Sequence, residues 1–224
     1  MEAILLYRSA SQINSAMGRV YGQMMLAVIT SMLVAGFVSS SAELMAFLFT
    51  GIVKWVVIFA PLVAIFAITA ALNSKPPKPV ALAMLHGFAA LMGLSFATIF
   101  VVFTAGSIVG AFMGAAVLFG TLSAYGYFTK QSLDSMGKFM FVGLIAIVIA
   151  SIVNIFIGST VMQMVISALA IIIFLGLTAY DTQKIREALA YEDNGTAEVV
   201  GALTLYLDFI NLFLNLLQLF GDRK

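Results

Sequence analysis

Residues 199–220 read VVGALTLYLDFINLFLNLLQLF. At 1.5 Å per residue this run is long enough to cross a hydrocarbon core about 30 Å thick, and it is apolar enough to do so. One residue breaks the pattern, the carboxylic acid Asp208 near its middle. On a helix, residues spaced alternately by four and three share a face, and Thr204, Asp208, Asn211, Asn215 and Gln218 follow that spacing. The polar atoms therefore form one stripe. A charged group at membrane depth costs about 3 kcal/mol on insertion scales, so the stripe is expected to face protein or water and never lipid. The amides alone read as glue between helices, whereas an intramembrane acid reads as a functional site.

The rest of the chain has the same character. Hydrophobic residues make up 62% of it and charged residues 9%, against about 25% charged in soluble domains, which excludes a soluble globular fold. Seven apolar runs of membrane-spanning length are expected at 20–38, 52–72, 80–102, 108–128, 139–157, 161–180 and 199–220. Seven spans leave no room for a soluble domain, so residues 1–224 read as a single polytopic all-α bundle with short loops. The first run is too long and too far along the chain for a cleaved signal peptide and reads as a retained span. The absence of Cys removes disulfides, thiol nucleophiles and thiolate metal sites. No basic cluster with interleaved aromatics offers a nucleic-acid surface, and the expected partner is the lipid bilayer.

Lys and Arg are shared unevenly between alternate loops. Arg8 and Arg19 before the first span, Lys75 and Lys78 in the second loop, Lys130 and Lys138 in the fourth, and Lys184 and Arg186 in the sixth all fall on one side. The loops around 39–51, 104–107 and 158–160 carry none, apart from Lys54 just inside the second span. The positive-inside rule then makes the N-terminus cytoplasmic. Arg223 and Lys224 violate the pattern if the seventh segment spans, and a re-entrant segment would remove the violation. Lys54-Trp55 reads as an interfacial anchor. Pro76, Pro77 and Pro79 end the second helix sharply, Pro61 is expected to kink it mid-span, and Gly106, Gly110 and Gly114 predict a smooth strip on helix four against which a neighbouring backbone packs. Glu187, Glu192, Asp193 and Glu198 read as solvated loop charges and Glu43 as an outer loop residue. The lone His86 reads as a core hydrogen-bonder.

Ala179-Tyr180-Asp181-Thr182-Gln183 closes span six, so two carboxylates enter the membrane on consecutive helices. With the boundaries above, Asp208 lies roughly 14 Å deeper than Asp181. Continuation of span six through 182–185 and a later start of span seven near Gly201 would shrink that offset, and helix tilt could close it. Two carboxylates within hydrogen-bond range and out of bulk water cannot both ionise cheaply, so they share one proton and respond to pH.

Those two motifs, Ala-Tyr-Asp-Thr-Gln at 179–183 and Gly-Ala-Leu-Thr-Leu-Tyr-Leu-Asp-Phe-Ile-Asn-Leu-Phe-Leu at 201–214, together with seven spans and a short basic N-terminal segment, resemble the bacterial branch of the Bax inhibitor-1 (transmembrane Bax inhibitor motif) family. The resemblance implies an inner-membrane bundle of six helices around a central seventh. It also implies a pH-sensitive calcium leak with Asp181 and Asp208 as sensor and latch. Members can carry a helix-two arginine that contacts the aspartates; this chain has none in that span, and Lys54 is the nearest cation. Calcium is then a permeant ion held weakly and transiently by Asp181, Asp208 and the amides of Asn211 or Asn215, with no resident cofactor and no enzyme activity expected. No EF-hand spacing is present for tight binding.

Two other classes share parts of the pattern. Intramembrane aspartyl proteases also use two aspartates on adjacent helices, and Tyr180-Asp181 matches one half; the residues before Asp208, Tyr206 and Leu207, lack the small residues of the other half. A non-conducting regulator that binds partner helices would make the stripe purely structural.

Overall fold

The computed structural model describes residues 8–191 and 195–224. Eight helices follow in order: α1 (Ala10–Ser39), α2 (Ala42–Phe49), α3 (Val53–Asn73), α4 (Lys78–Val102), α5 (Ala105–Phe128), α6 (Asp134–Ile157), α7 (Thr160–Leu189) and α8 (Thr196–Phe220). All except the eight-residue α2 are long and apolar enough to cross a membrane, and no strand occurs among the described residues. The chain is a seven-span all-α membrane protein. α8 is the most deeply enclosed span: 67% of its apolar window is buried, against 33% or less in every other span.

Several boundaries differ from the sequence expectation, three of them with consequences. α1 begins ten residues early because Ser9 and Gln12 close a capping box, with the Gln12 amide N–H on Ser9 Oγ at 3.3 Å and the Ser9 N–H on Gln12 Oε1 at 2.8 Å. Arg19 is therefore a helical residue and not part of a tail. The first loop is not plain loop, since Ser41 caps the short α2. α7 runs through Asp181, Thr182, Gln183, Lys184 and Arg186 to Leu189, so the basic residues of the expected sixth loop ride on an extension of that helix. α3 continues unbroken through Pro61.

The described residues divide into two compact units, one drawn from Met1–Phe103 and Ala188–Tyr206 with Lys224, the other from Thr104–Glu187 and Leu207–Arg223. In the first, α1 packs chiefly on α4. Gly93 makes the approach possible, because a Cβ there would sit 2.6 Å from the Ser31 carbonyl oxygen. Ser31 donates to the Ala89 carbonyl at 2.8 Å and lies 2.6 Å from the Tyr206 hydroxyl, whose ring meets Phe88 edge-on at 6.1 Å. His86 bridges the same helices, with its ring nitrogens 3.4 Å from Thr30 Oγ1 and 3.3 Å from Gln23 Oε1. Lys54 lies over the Trp55 ring at 5.1 Å. The start of α8 lies at the foot of α4, where Thr196 donates to the Pro76 carbonyl at 3.1 Å. Its far end reaches the head of α4, where the Lys224 N–H meets the Val102 carbonyl at 2.9 Å and Lys224 Nζ the Phe100 carbonyl at 2.8 Å. At 25 residues α8 is long enough to cross a membrane.

In the second unit α5, α6, α7 and the later part of α8 pack together. The strip at Gly106, Gly110 and Gly114 does not serve as expected: the first two face open space, and only Leu216 comes near Gly114, at 3.7 Å. The packed face of α5 is the one that carries Ile108, Ala115, Phe119, Ser123 and Gly126. A Cβ at Gly126 would overlap the Ala179 carbonyl, so α5 and α7 touch there backbone to backbone. Phe209 is held edge-on between Phe112 and Phe119, at 5.3 and 5.7 Å.

A buried carboxylate pair between α7 and α8

Each residue of the 179–183 motif has a separate task in the second unit. Ala179 lies on the Gly126 backbone. Tyr180 covers Gly137 of α6, where any Cβ would overlap its ring. Thr182 and Ser123 share a buried hydroxyl–hydroxyl hydrogen bond of 2.8 Å. Gln183 clamps the α5–α6 turn, accepting from the Leu133 N–H at 2.9 Å and donating to the Gln131 carbonyl at 2.9 Å. Lys184 bridges Asp134 at 2.7 Å and Glu187 at 2.8 Å, and Arg186 donates to the Tyr127 carbonyl at 2.8 Å. With its motif neighbours turned to α5 and α6, Asp181 is the residue of the motif that approaches α8.

Asp181 and Asp208 stand within hydrogen-bonding reach of each other, carboxyl to carboxyl. Asp208 is only 4% exposed, and its Oδ2 is buried with no hydrogen-bond partner. The expected mismatch in depth is absent because α7 extends about two turns beyond Asp181 while α8 runs about three turns before reaching Asp208. α8 begins earlier than Gly201, so the extension of α7 closes the offset. Two carboxyl groups can share such a contact only with a proton between them, and an orphaned buried oxygen supplies nothing to stabilise a second charge.

The rest of the stripe divides. Thr204, Asn211, Asn215 and Gln218 are half-buried where Asp208 is buried. Thr204 donates to the Val200 carbonyl at 3.1 Å, Asn211 to Leu207 at 2.8 Å and Asn215 to Asn211 at 2.8 Å, each one turn back on its own helix. The side-chain amide nitrogens of Asn211 and Asn215 are thereby committed to the backbone of their own helix. Among the described residues no group of three His, Asp or Glu converges on a common point.

One acid was misread. Glu198, expected in a solvated loop, stands in the first turn of α8 and is 3% exposed. Arg19 Nε reaches its Oε2 at 3.0 Å, and Lys78 Nζ reaches the same oxygen at 2.7 Å. A signal existed: Arg19, Lys78 and Glu198 each stand just ahead of an expected span, at one common depth. Thr182 and Gln183 lay within the quoted motif, but nothing in the sequence separates Gly126 from the other glycines. Glu43 and Glu187 are exposed, and Glu192 and Asp193 lie outside the described residues.

A seven-span membrane protein with an acid pair between its last two helices is the class that fold and site define. The family described as "Inhibitor of apoptosis-promoting Bax1" matches residues 13–224, and the chain belongs to it. The inner membrane protein YbhL of Escherichia coli K12 is 38% identical over 218 residues, covering 95% of this chain and 93% of that protein. A protein of Borreliella burgdorferi is 37% identical over 94% of this chain and 93% of its own length, and YrjE of Lactococcus lactis is 34% identical over 97% and 95%.

Proposed function

We propose that this protein passes Ca²⁺ or a similar cation passively across the bacterial inner membrane, with conduction set by the protonation of the Asp181–Asp208 pair. The carrying observation is the approach of two carboxyl groups within two apolar spans, with Asp208 buried. A pair of acids joined by one proton is a latch between α7 and α8. Removal of the proton leaves two like charges in contact, which repel each other and attract a cation. A conducted ion must also leave, and two carboxylates with the side-chain oxygens of Asn211 and Asn215 would form a weak oxygen path suited to that. The distribution of basic residues supports a cytoplasmic N-terminus and α7–α8 turn, and the inner-membrane relative supports the location.

Calcium flux into proteoliposomes, measured across a pH range with the purified protein, tests the reading. Flux that varies with pH is expected. Absence of flux at every pH would sink conduction and leave the non-conducting regulator, to which the self-directed hydrogen bonds of Asn211 and Asn215 also lend support.

A further inference from the structure

Glu198 is a buried charge that the acid pair does not use. Its two partners come from two other helices, Arg19 from α1 and Lys78 from the first residue of α4. Both cations keep one side toward solvent, with side chains 50% and 38% exposed, while the carboxylate is enclosed. The local backbone is built to let them reach it. Gly195, just ahead of α8, holds φ +75°, and a Cβ there would sit 2.8 Å from Lys78 Cδ, so only glycine suits both the turn and the passage of the lysine. The Arg8 N–H on the Ala190 carbonyl at 3.0 Å and Thr196 on Pro76 tie the same corner. An acid in the first helical turn is also favoured by the positive end of the helix dipole.

We infer that Glu198, Arg19 and Lys78 form an ionic clamp that fixes the first turn of α8 against α1 and α4 and so sets the position of the helix that bears Asp208. Glu198 is a positioning residue, some ten residues before the acid it governs on an unbroken helix. A buried carboxylate flanked by two cations keeps its charge, so the clamp is a fixed anchor against which a proton-dependent contact farther along the same helix can work. Mere packing would be satisfied by a neutral isostere, whereas a clamp requires the charge. The inference rests on the proposed conduction only for its effect on flux.

The test exploits the absence of native cysteine. Spin labels on cysteines at Gly22 of α1 and Val200 of α8, both exposed, report the distance between these helices in liposomes. Glu198→Gln and, separately, Arg19→Gln are expected to shift or broaden that distance, while Arg19→Lys keeps the wild-type value. In the flux assay Glu198→Gln is expected to change the ratio of flux at the two pH limits by about two- to thirtyfold. Unchanged distances in both Gln variants would overturn the clamp, and so would altered distances with a wild-type flux–pH curve. Altered distances in a protein whose wild type passes no calcium would uphold the clamp and remove the conduction reading instead. Should Glu198→Gln not be recovered folded, Arg19→Gln, which alters the half-exposed partner, decides alone.

Discussion

α8 carries two buried carboxylates ten residues apart, and their surroundings are opposites. Glu198 meets two cations; Asp208 meets another acid. Burial is similar, 3% against 4% exposed, so depth does not distinguish them. What differs is the sign of the neighbour. Matched charges in a sheltered place make a fixed joint, costly to break from one side because the remaining charges lose their partner. Like groups in a sheltered place make a joint that exists only while a proton bridges it. One helix thus bears a permanent attachment near its start and a conditional one near its middle. That layout suits the pH response proposed for the helix.

The largest expected blow to the conditional joint comes through its support. Gly126→Val places branched carbon where the Ala179 carbonyl lies, two residues before Asp181. Overpacking of this kind costs about 1–3 kcal/mol, and a backbone neighbour that cannot yield puts it at the upper end. Thermal unfolding in detergent should show a clear loss, with the flux–pH response lost in whatever remains folded. Gly110→Val, which meets open space, is the control and should unfold like wild type. Equal losses in the two would show that helix propensity, not the α5–α7 contact, was being measured.

Next in size, and the direct test of the contrast, is removal of each acid in turn. Glu198→Ala strands Arg19 and Lys78. Because both cations reach solvent, the cost falls below the range for fully buried pairs, to about 1–2 kcal/mol. Asp208→Asn removes one of two like groups and keeps a hydrogen bond to Asp181, so at neutral pH its stability should stay within about 1 kcal/mol of wild type. Its signature lies in pH dependence. The bridge in the wild type is present at low pH and is lost as pH rises and the shared proton leaves, so the folded state binds more protons and stability should fall with rising pH. Asp208→Asn and Asp181→Asn should each flatten that slope and remove most of the pH dependence of flux. Curves unchanged in midpoint and amplitude in both variants would end the role of the pair as sensor.

The contrast was half legible in the sequence. Asp208 announces itself because a carboxylate inside an apolar run admits few innocent explanations, and its spacing from Asp181 fitted a pair once the register of α7 was allowed to slide. The slide itself was invisible: residues 182–189 look like a basic loop, and the contacts that hold them as helix, Thr182 on Ser123, Gln183 on the α5–α6 turn and Arg186 on the Tyr127 carbonyl, come from distant segments. Glu198 was hidden for the converse reason, since an acid beside a turn is the commonest of surface residues. Its burial depends on Arg19 and Lys78, which lie 179 and 120 positions away in sequence. The spans were readable from run length alone, because lipid imposes it. Which glycine is a packing site was not, because periodicity marks a face without saying what lies opposite. On α5 Gly106 and Gly110 of the regular strip face open space and Gly114 meets only the tip of Leu216, while the isolated Gly126 meets a backbone.

The smallest expected effect concerns Asn215, one turn beyond Asn211 on the same stripe. Its amide nitrogen donates to the Asn211 carbonyl of its own helix, an oxygen that already serves the helical ladder, so the side chain adds little to the fold. Asn215→Leu should therefore change thermal stability by no more than about 0.5 kcal/mol, the ordinary range for a position away from the packed core. Flux is where the substitution speaks. If the side-chain oxygen of Asn215 helps a cation past Asp208, Leu removes one ligand from a weak site and lowers flux while leaving the pH midpoint, which belongs to the acids, where it was. A midpoint that moves with the amplitude would mean that Asn215 acts on the pair itself. Unchanged flux and stability together would confine the conducting stripe to the two aspartates and leave the amides as a polar seam between helices.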